Sequence, residues 1–180
     1  MAENKKFTFQ MIPPPNGNKY FDWREKNGKD EYIKFGDDNQ FPHNTIELYN
    51  KSSIHAAAVN AIVEGVIGKG LTSDKEEAIE RANASNESWN DIYAKVALDY
   101  KLHGSFALEI IWSKDRARID VYHVDFSYLR AKEKDYRGKC PGYYISSKWD
   151  KIGRSRTTIS EDEALYLPSY DPSKKADEPH

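Results

Sequence analysis

Residues 32–71 read YIKFGDDNQFPHNTIELYNKSSIHAAAVNAIVEGVIGKGL, and this stretch decides the fold. It begins with a strand-like segment and a tight acidic turn, passes through a proline and then predicts two helices in succession. Asn44 and Glu47 have the spacing of a capping box, in which each side chain bonds a backbone N–H at the exposed start of a helix. We therefore expect the first helix to begin at Asn44.

The second helix of this stretch opens at Ser52 and Ser53 and is apolar on nearly every side from Ile54 to Ile67. A helix without a polar face is normally buried on all sides. The sequence therefore predicts that this helix is the centre of the core. The residues expected to be least accessible are Ala57, Ala58, Ala61 and Ile62.

Two further helices are predicted after Leu71. Ser73 and Glu76 again have capping-box spacing and indicate a short polar helix over about 74–84. A longer helix follows over about 87–103, and Gly104 ends it. Its single apolar stripe consists of Trp89, Ile92, Tyr93, Val96, Ala97 and Tyr100.

The remaining regular structure is predicted to be short antiparallel strands. Residues 105–113 have a period of two, with the large apolar side chains of Phe106, Leu108, Ile110 and Trp112 on one face. Residues 117–124 resume the alternation after a polar turn, which is typical of a hairpin. Further strand candidates are 128–132, 143–149 and 165–167. The predicted fold class is therefore α+β, with helices packed on a small antiparallel sheet and an extended N-terminal arm.

The composition divides the chain into three regions. Residues 1–31 hold a triple proline, two Asn-Gly pairs and five aromatic side chains. We therefore expect an extended arm whose aromatic residues pack against other protein surfaces. Residues 32–168 form the predicted α+β domain. Residues 169–180 are polar and proline-bearing and are expected to be a tail.

Charge and cysteine content exclude several classes of protein. The net charge is -2, and the single cysteine, Cys140, excludes an internal disulfide and fits a reducing compartment. The start of the chain has no apolar core of signal-peptide length. The longest apolar run is interrupted by Asn60 and Glu64 and is too short to span a bilayer. We expect a protein made in a cytoplasm that does not enter a membrane.

No pattern of residues indicates catalysis. The five histidines lack metal-ligand spacing. His123 and Asp125 lie close enough to pair, but a catalytic dyad would also need a nucleophile in a pocket. His55 fits a helix-end or interface hydrogen bond, and His103 is placed to interact with the negative end of its own helix. We predict a protein that is not an enzyme and that binds neither a cofactor nor a metal.

Two motifs suggest ligand loops only at first sight. Gly68, Lys69 and Gly70 follow a helix, whereas a phosphate-binding loop follows a strand and places Ser or Thr after its Lys. Asp37, Asp38 and Asn39 lack the rest of a twelve-residue calcium loop. A helix exit and a tight turn are the better interpretations.

Residues 114–158 are the one basic segment, with twelve Lys or Arg against six Asp or Glu. Basic side chains interleaved with aromatic ones can bind phosphate and stack bases. The candidate nucleic-acid contacts are Arg116, Arg118, Arg130, Lys132, Arg154 and Arg156. A small α+β nucleic-acid-binding module is therefore an alternative function, and an ordinary solvated surface is the plainer interpretation.

Several short motifs follow one another in the first half of the chain, and a second block runs from Gly104 to about Trp149. The motif residues are Tyr32, Gly36, Asp38, Asn39, Pro42, Ser53, His55, Gly68, Gly70, Gly104 and Trp112. In order and spacing these motifs resemble the amino-terminal region of the portal proteins of tailed bacteriophages. The second block resembles the same family over 106–112 and 122–130.

This resemblance implies a structural subunit of a ring, usually of twelve copies, at the capsid vertex through which DNA is packaged and ejected. The implied partners are other copies of the chain, terminase, capsid proteins and head-tail connector proteins, with only transient passage of double-stranded DNA. The implied location is the virion, after assembly in the host cytoplasm. Portal proteins are not enzymes, since the packaging ATPase is a separate protein.

Portal proteins usually continue into long stem helices and a clip, whereas this chain ends at His180. We therefore expect a fragment that covers the peripheral wing region, or a truncated reading frame. Alone it should be monomeric or weakly associated, while the extended gene product should form closed rings.

Overall fold

The computed structural model describes residues 25–27, 32–36, 38–75, 77–136, 140–149 and 157–165. The predicted α+β class is confirmed, since helices and antiparallel strands occupy separate parts of the chain. The described strands form three small sheets instead of one. Most of the predicted arm over 1–31 and the whole tail over 169–180 lie outside the described residues.

The helices come mainly before the strands. The helices are α1 (Phe41–Lys51), α2 (Ser53–Ile67), α3 (Glu77–Glu80) and α4 (Trp89–His103). The strand pairs are β1 (Glu25–Asn27) with β2 (Ile33–Phe35), and β3 (Ala107–Trp112) with β4 (Ile119–Val124). The third sheet has the order β5 (Leu129–Ala131), β6 (Gly142–Ile145) and β7 (Thr157–Ser160). Short 3-10 turns lie at Phe126–Tyr128 and Glu161–Glu163.

The start of α1 differs from the prediction. The helix begins at Phe41 instead of Asn44, with Pro42 in its first turn. Proline is tolerated there because the first backbone N–H groups of a helix have no partner within the helix. Ser52 then separates the two helices and caps α2, since its Oγ accepts a hydrogen bond from the His55 backbone N–H at 3.3 Å.

The prediction that α2 is buried on all sides is wrong for this chain. Its buried residues are Val59 and Val63, which pack with Ala97 of α4. Val59 is 4 % exposed, but Ile62 is 46 % exposed. Ala57, Ala58 and Ala61 are exposed as well. The apolar pattern shows which residues tolerate burial, whereas the number of packed neighbours decides which residues are buried.

The helix α3 is shorter than predicted, whereas α4 agrees closely with the sequence. The Oγ of Ser73 accepts from the Lys75 backbone N–H and starts no longer helix. Ser88 and Asp91 form a full capping box at the start of α4. Gly104 ends α4 with φ 74°, as predicted. The stripe is only partly buried, because Ile92 and Ala97 are covered but Tyr100 is exposed.

The predicted hairpin is confirmed. Trp112 pairs with Ile119 at its closed end, and the Ser113 N–H donates to the Arg118 carbonyl at 2.9 Å. The candidates over 128–132 and 143–149 form shorter strands than predicted. The strand β7 was missed. Of the candidate over 165–167, Leu165 lies beyond a 3-10 turn without strand pairing, and the other two positions lie outside the described residues.

Candidate functional site

The most deeply buried cation of the described chain is Arg130, which is 1 % exposed. Its Nε donates to the Asn39 side-chain oxygen at 2.7 Å, and its Nη2 donates to the Asn39 carbonyl at 3.1 Å. Its Nη1 donates to the carbonyls of Ser127 and Leu129. The backbone and one amide side chain therefore hold the guanidinium in a fixed orientation.

Aromatic rings enclose the same guanidinium. Its central carbon lies 5.0 Å from the ring centres of both Phe35 and Trp149. Such contacts attract a cation to the negative face of a ring. Burial lowers the pKa of Arg130 to about 10, which still leaves the side chain charged at neutral pH. The fold therefore keeps a positive charge in its interior.

Residues of the first motif block form much of this enclosure. Asn39 is buried with φ 57°, and its side-chain oxygen also accepts from the Phe35 N–H at 3.2 Å. Asn is one of the few residues that adopt this left-handed conformation readily. The ring of Tyr32 packs on that of Trp149 at 4.8 Å. The structure thus brings Tyr32 and Asn39 to Arg130, which lies 91 positions beyond Asn39 in the chain.

Arg130 was predicted as a nucleic-acid contact, and this prediction is wrong. Its N–H groups bond protein acceptors and its side chain does not reach the surface. Arg116 and Arg118 are exposed at the hairpin turn, as a phosphate contact would require. The Lys132 ammonium lies over the Tyr144 ring at 5.2 Å. The other two candidates, Arg154 and Arg156, lie outside the described residues.

A second buried polar group joins α4 to the strands. The Nε2 of His123 lies 2.8 Å from Asp99 Oδ2, which also accepts from the Phe126 N–H at 3.2 Å. Asp125, the partner considered from the sequence, instead caps the following turn through the Ser127 N–H. Sequence reasoning missed Asp99 because it lies on a helix otherwise interpreted through its apolar stripe.

His103 belongs to the interior too. Its Nδ1 lies 3.1 Å from Thr45 Oγ1, and its ring stacks on that of Phe126. Its Nε2 is buried, and no described group bonds it. Burial is the main cause that lowers the pKa of His103, although Asp99 opposes the shift. His103 lies in the last turn of α4, as predicted, but burial disfavours the charged form that would interact most strongly with the helix end.

The other motif residues have local structural roles or are exposed. The Asp38 carboxylate accepts from the Gln40 N–H at 3.1 Å. Gly36, Gly68 and Gly70 all have positive φ, as exits from a strand and a helix require. Ser53 is exposed at the start of α2, and Trp112 is 61 % exposed at the end of β3.

An exposed apolar surface lies on α2. We call the exposed apolar side of this helix the α2 outer face. It consists of Ile54, Ala57, Ala58, Ala61, Ile62, Gly65 and Val66. Aliphatic side chains in contact with water lose the stabilisation that burial would give them, and a contiguous apolar patch is typical of an interaction site.

No catalytic arrangement emerges among the described residues. None of their His, Cys, Asp or Glu side chains gather in groups of three that could hold a metal ion. A cleft of about 310 Å³ beside the start of α4 is lined by Leu71, Thr72, Ser73, Ile79, Glu80, Ser88 and Asn90. Cys140 lies in a loop, where its thiol contacts the Gly142 carbonyl at 2.9 Å. That the chain binds no metal and no cofactor stays a prediction.

Within the part of the chain that the structure describes, none of the helices has the length and apolarity needed to cross a membrane. Comparisons with protein-family models, with curated proteins and with solved structures found no match to this chain.

Proposed function

We propose that this chain is a structural subunit, or part of one, of a bacteriophage portal ring through which DNA is packaged and ejected. The observation that carries the proposal is the α2 outer face. Its exposed aliphatic side chains would be removed from water by packing against a partner protein. The motif residues that resemble portal proteins supply the identity of that partner, which is a neighbouring copy of the same subunit.

The geometry of α2 suits a contact between subunits. The helix is anchored from behind by Val59 and Val63, so its outer face is presented on a rigid element. Ala57, Ala61 and Gly65 recur every four residues and would let a neighbouring helix approach closely. In a cyclic ring each subunit uses one surface toward each neighbour, and the α2 outer face would be one of these two surfaces.

The charge distribution suits a channel that DNA passes through. Tight phosphate contacts would impede passage, because each phosphate neutralised by Lys or Arg adds to affinity. The net charge of the chain is -2, and Arg130 is withdrawn into the interior. In this proposal terminase, capsid and connector proteins are the further partners, and the chain itself catalyses no reaction.

Electron microscopy of the complete product of the gene that encodes this chain tests the proposal. Closed rings with a central channel are expected, and particles of the phage should carry the protein at a single vertex. The variant Ile62→Glu should abolish rings while leaving the fold intact, because the side chain is already half exposed. The matched control on the same helix is Glu64→Gln. Rings that survive Ile62→Glu, or a protein distributed over the whole capsid, would contradict the proposal.

The alternative of a nucleic-acid-binding module has less support. Of its six candidate contacts, Arg130 is buried, and among the described ones Arg116 and Arg118 are exposed. Fluorescence anisotropy with duplex DNA separates the two functions. A portal subunit should bind no more tightly than non-specific proteins do, with Kd above about 1 μM at physiological salt. Tighter binding to DNA, with an affinity that Arg116→Gln or Arg118→Gln reduces, would favour the module.

A further inference from the structure

The hairpin of β3 and β4 has two outer edges, and the described residues cover part of the β4 edge only. On the β4 side, the Val121 N–H donates to the Ala82 carbonyl at 2.9 Å. The Val121 carbonyl accepts from the Asn83 side-chain amide at 3.0 Å. Val121 is accordingly 2 % exposed. The segment before α4 therefore covers the middle of the β4 edge at Val121.

No described residue pairs with the outer edge of β3. Within the described residues β3 pairs with β4 alone. Every residue from Leu108 to Trp112 is exposed, and Ile110, which pairs with Val121, is 53 % exposed. Proteins usually protect such an edge with lysine, proline or a bulge. The strand reads ALEIIW and has no proline, no basic residue and a single charge at Glu109.

The ladder fixes which main-chain groups point outward from β3. In antiparallel pairs, residues that exchange hydrogen bonds alternate with residues that do not. The bond from the Ser113 N–H to the Arg118 carbonyl sets the phase. The outward bonds of Val121, opposite Ile110, confirm it. The N–H and C=O groups of Leu108, Ile110 and Trp112 therefore face away from β4.

We propose that this edge pairs with β3 of a second copy of the chain, antiparallel and centred on Ile110. In this register Ile110 exchanges hydrogen bonds with its own counterpart, and Leu108 exchanges them with Trp112. Glu109 lies opposite Ile111 of the second copy. A register centred on residue 109 would place the two Glu109 side chains directly opposite each other, which destabilises a sheet. A register centred on residue 111 would pair fewer strand residues.

A second copy suits this edge, because in the register centred on Ile110 the strand pairs with itself without placing like charges opposite each other. A self-complementary two-fold contact uses up both open edges and stops at a dimer, whereas head-to-tail pairing would continue into rings or filaments. One strand pair buries less surface than a stable interface does, so the dimer is weak and reversible. The contact is independent of the proposed ring, since a two-fold axis cannot relate neighbours in a cyclic ring.

Hydrogen exchange of the full chain at low and high protein concentration tests the pairing. The amides of Leu108, Ile110 and Trp112 should gain protection as the concentration rises. The amides of Glu109 and Ile111 should not change, because β4 already binds them. No concentration-dependent protection at the three outward amides would overturn the proposal. Uniform protection along the hairpin would overturn it as well.

Sedimentation of variants tests the register. Ile111→Lys places a cation opposite Glu109 of the second copy and should leave the dimer unchanged or tighter, whereas Ile111→Glu should weaken it about tenfold. In the register centred on 111 both variants would weaken the dimer, and that result would overturn the proposal. Ile110→Pro removes an outward N–H that β4 does not need and should also weaken the dimer. Ile62→Glu on α2 should have no effect, and if it alone reduces association, the edge is not the contact.

Discussion

The enclosure of Arg130 and the α2 outer face reverse the usual distribution of polar and apolar residues. The first places a charged guanidinium among aromatic rings at 1 % exposure, whereas the second leaves Ile62 46 % exposed to water. Arg130 is stable inside because described acceptors and ring faces replace its water. Nothing in the described chain replaces the missing cover on α2. The enclosure of Arg130 is therefore built by described residues of one chain, whereas the α2 outer face is left in contact with water.

The comparison predicts that Arg130→Ala is the most damaging substitution in the described chain. It removes four described hydrogen bonds and the packing of a large buried side chain. We expect the free energy of unfolding to fall by about 3–5 kcal/mol in urea titrations. The exposed Arg118→Ala on the hairpin turn is the control and should change it by less than about 0.5 kcal/mol. A similar small change for both arginines would show that the enclosure does not stabilise the fold.

A matched pair on α2 separates its inner and outer faces. Val59→Ala should lower the free energy of unfolding by about 2 kcal/mol, because methyl groups are removed from a packed site. Ile62→Ala removes more carbon atoms but should lower it by less than about 1 kcal/mol, because the side chain is half exposed. The reverse order would mean that another part of the chain covers the outer face.

Lowering the pH should reduce the free energy of unfolding through the protonation of His103. Its pKa is lowered from 6.5 by burial, so just below that pH the unfolded chain binds a proton that the folded chain does not. The contribution of the neutral ring is thus present above pH 6.5 and is lost as the pH falls through the folded pKa. One such group gives a slope of at most about 1.4 kcal/mol per pH unit.

Urea titrations at several pH values from about 7.5 to 5 measure this slope. His103→Gln should flatten the dependence, because glutamine does not titrate. His55→Gln near the start of α2 is the control and should preserve it. If both variants keep the slope of the parent chain, His103 is not its source.

The smallest predicted effects are changes in the free energy of unfolding at two glycines, and these changes have opposite signs. Gly104, with φ 74°, joins His103 to the exposed hairpin, and a Cβ there would meet no atom within 4 Å. Gly104→Ala should therefore lower the free energy of unfolding by about 1 kcal/mol, which is the cost of holding an alanine in the left-handed backbone conformation. Gly65 lies inside α2 with equally open space. Gly65→Ala should stabilise the chain by up to about 1 kcal/mol, because it favours the helical backbone. Thermal unfolding of both variants checks the two signs.

Local rules account for the parts that were predicted well. The capping and glycine signals placed the end of α4 and the opening of α2, since they depend on hydrogen bonds within a few residues. The period-two alternation placed the hairpin for the same reason. The start of α1 was misplaced because Pro42 was interpreted as lying before the helix. Proline is compatible with the first turn of a helix, and α1 begins one residue before it.

Residues far apart in the chain decided the rest. The sequence alone determined the α+β class, the two long helices and the hairpin, because periodicity and caps are local properties. Only the tertiary structure decided that Arg130 is enclosed with Asn39, that His123 pairs with Asp99, and that one face of α2 stays open. Burial depends on which elements pack against which, and a charge or an isoleucine has the same local pattern whether or not a neighbour covers it.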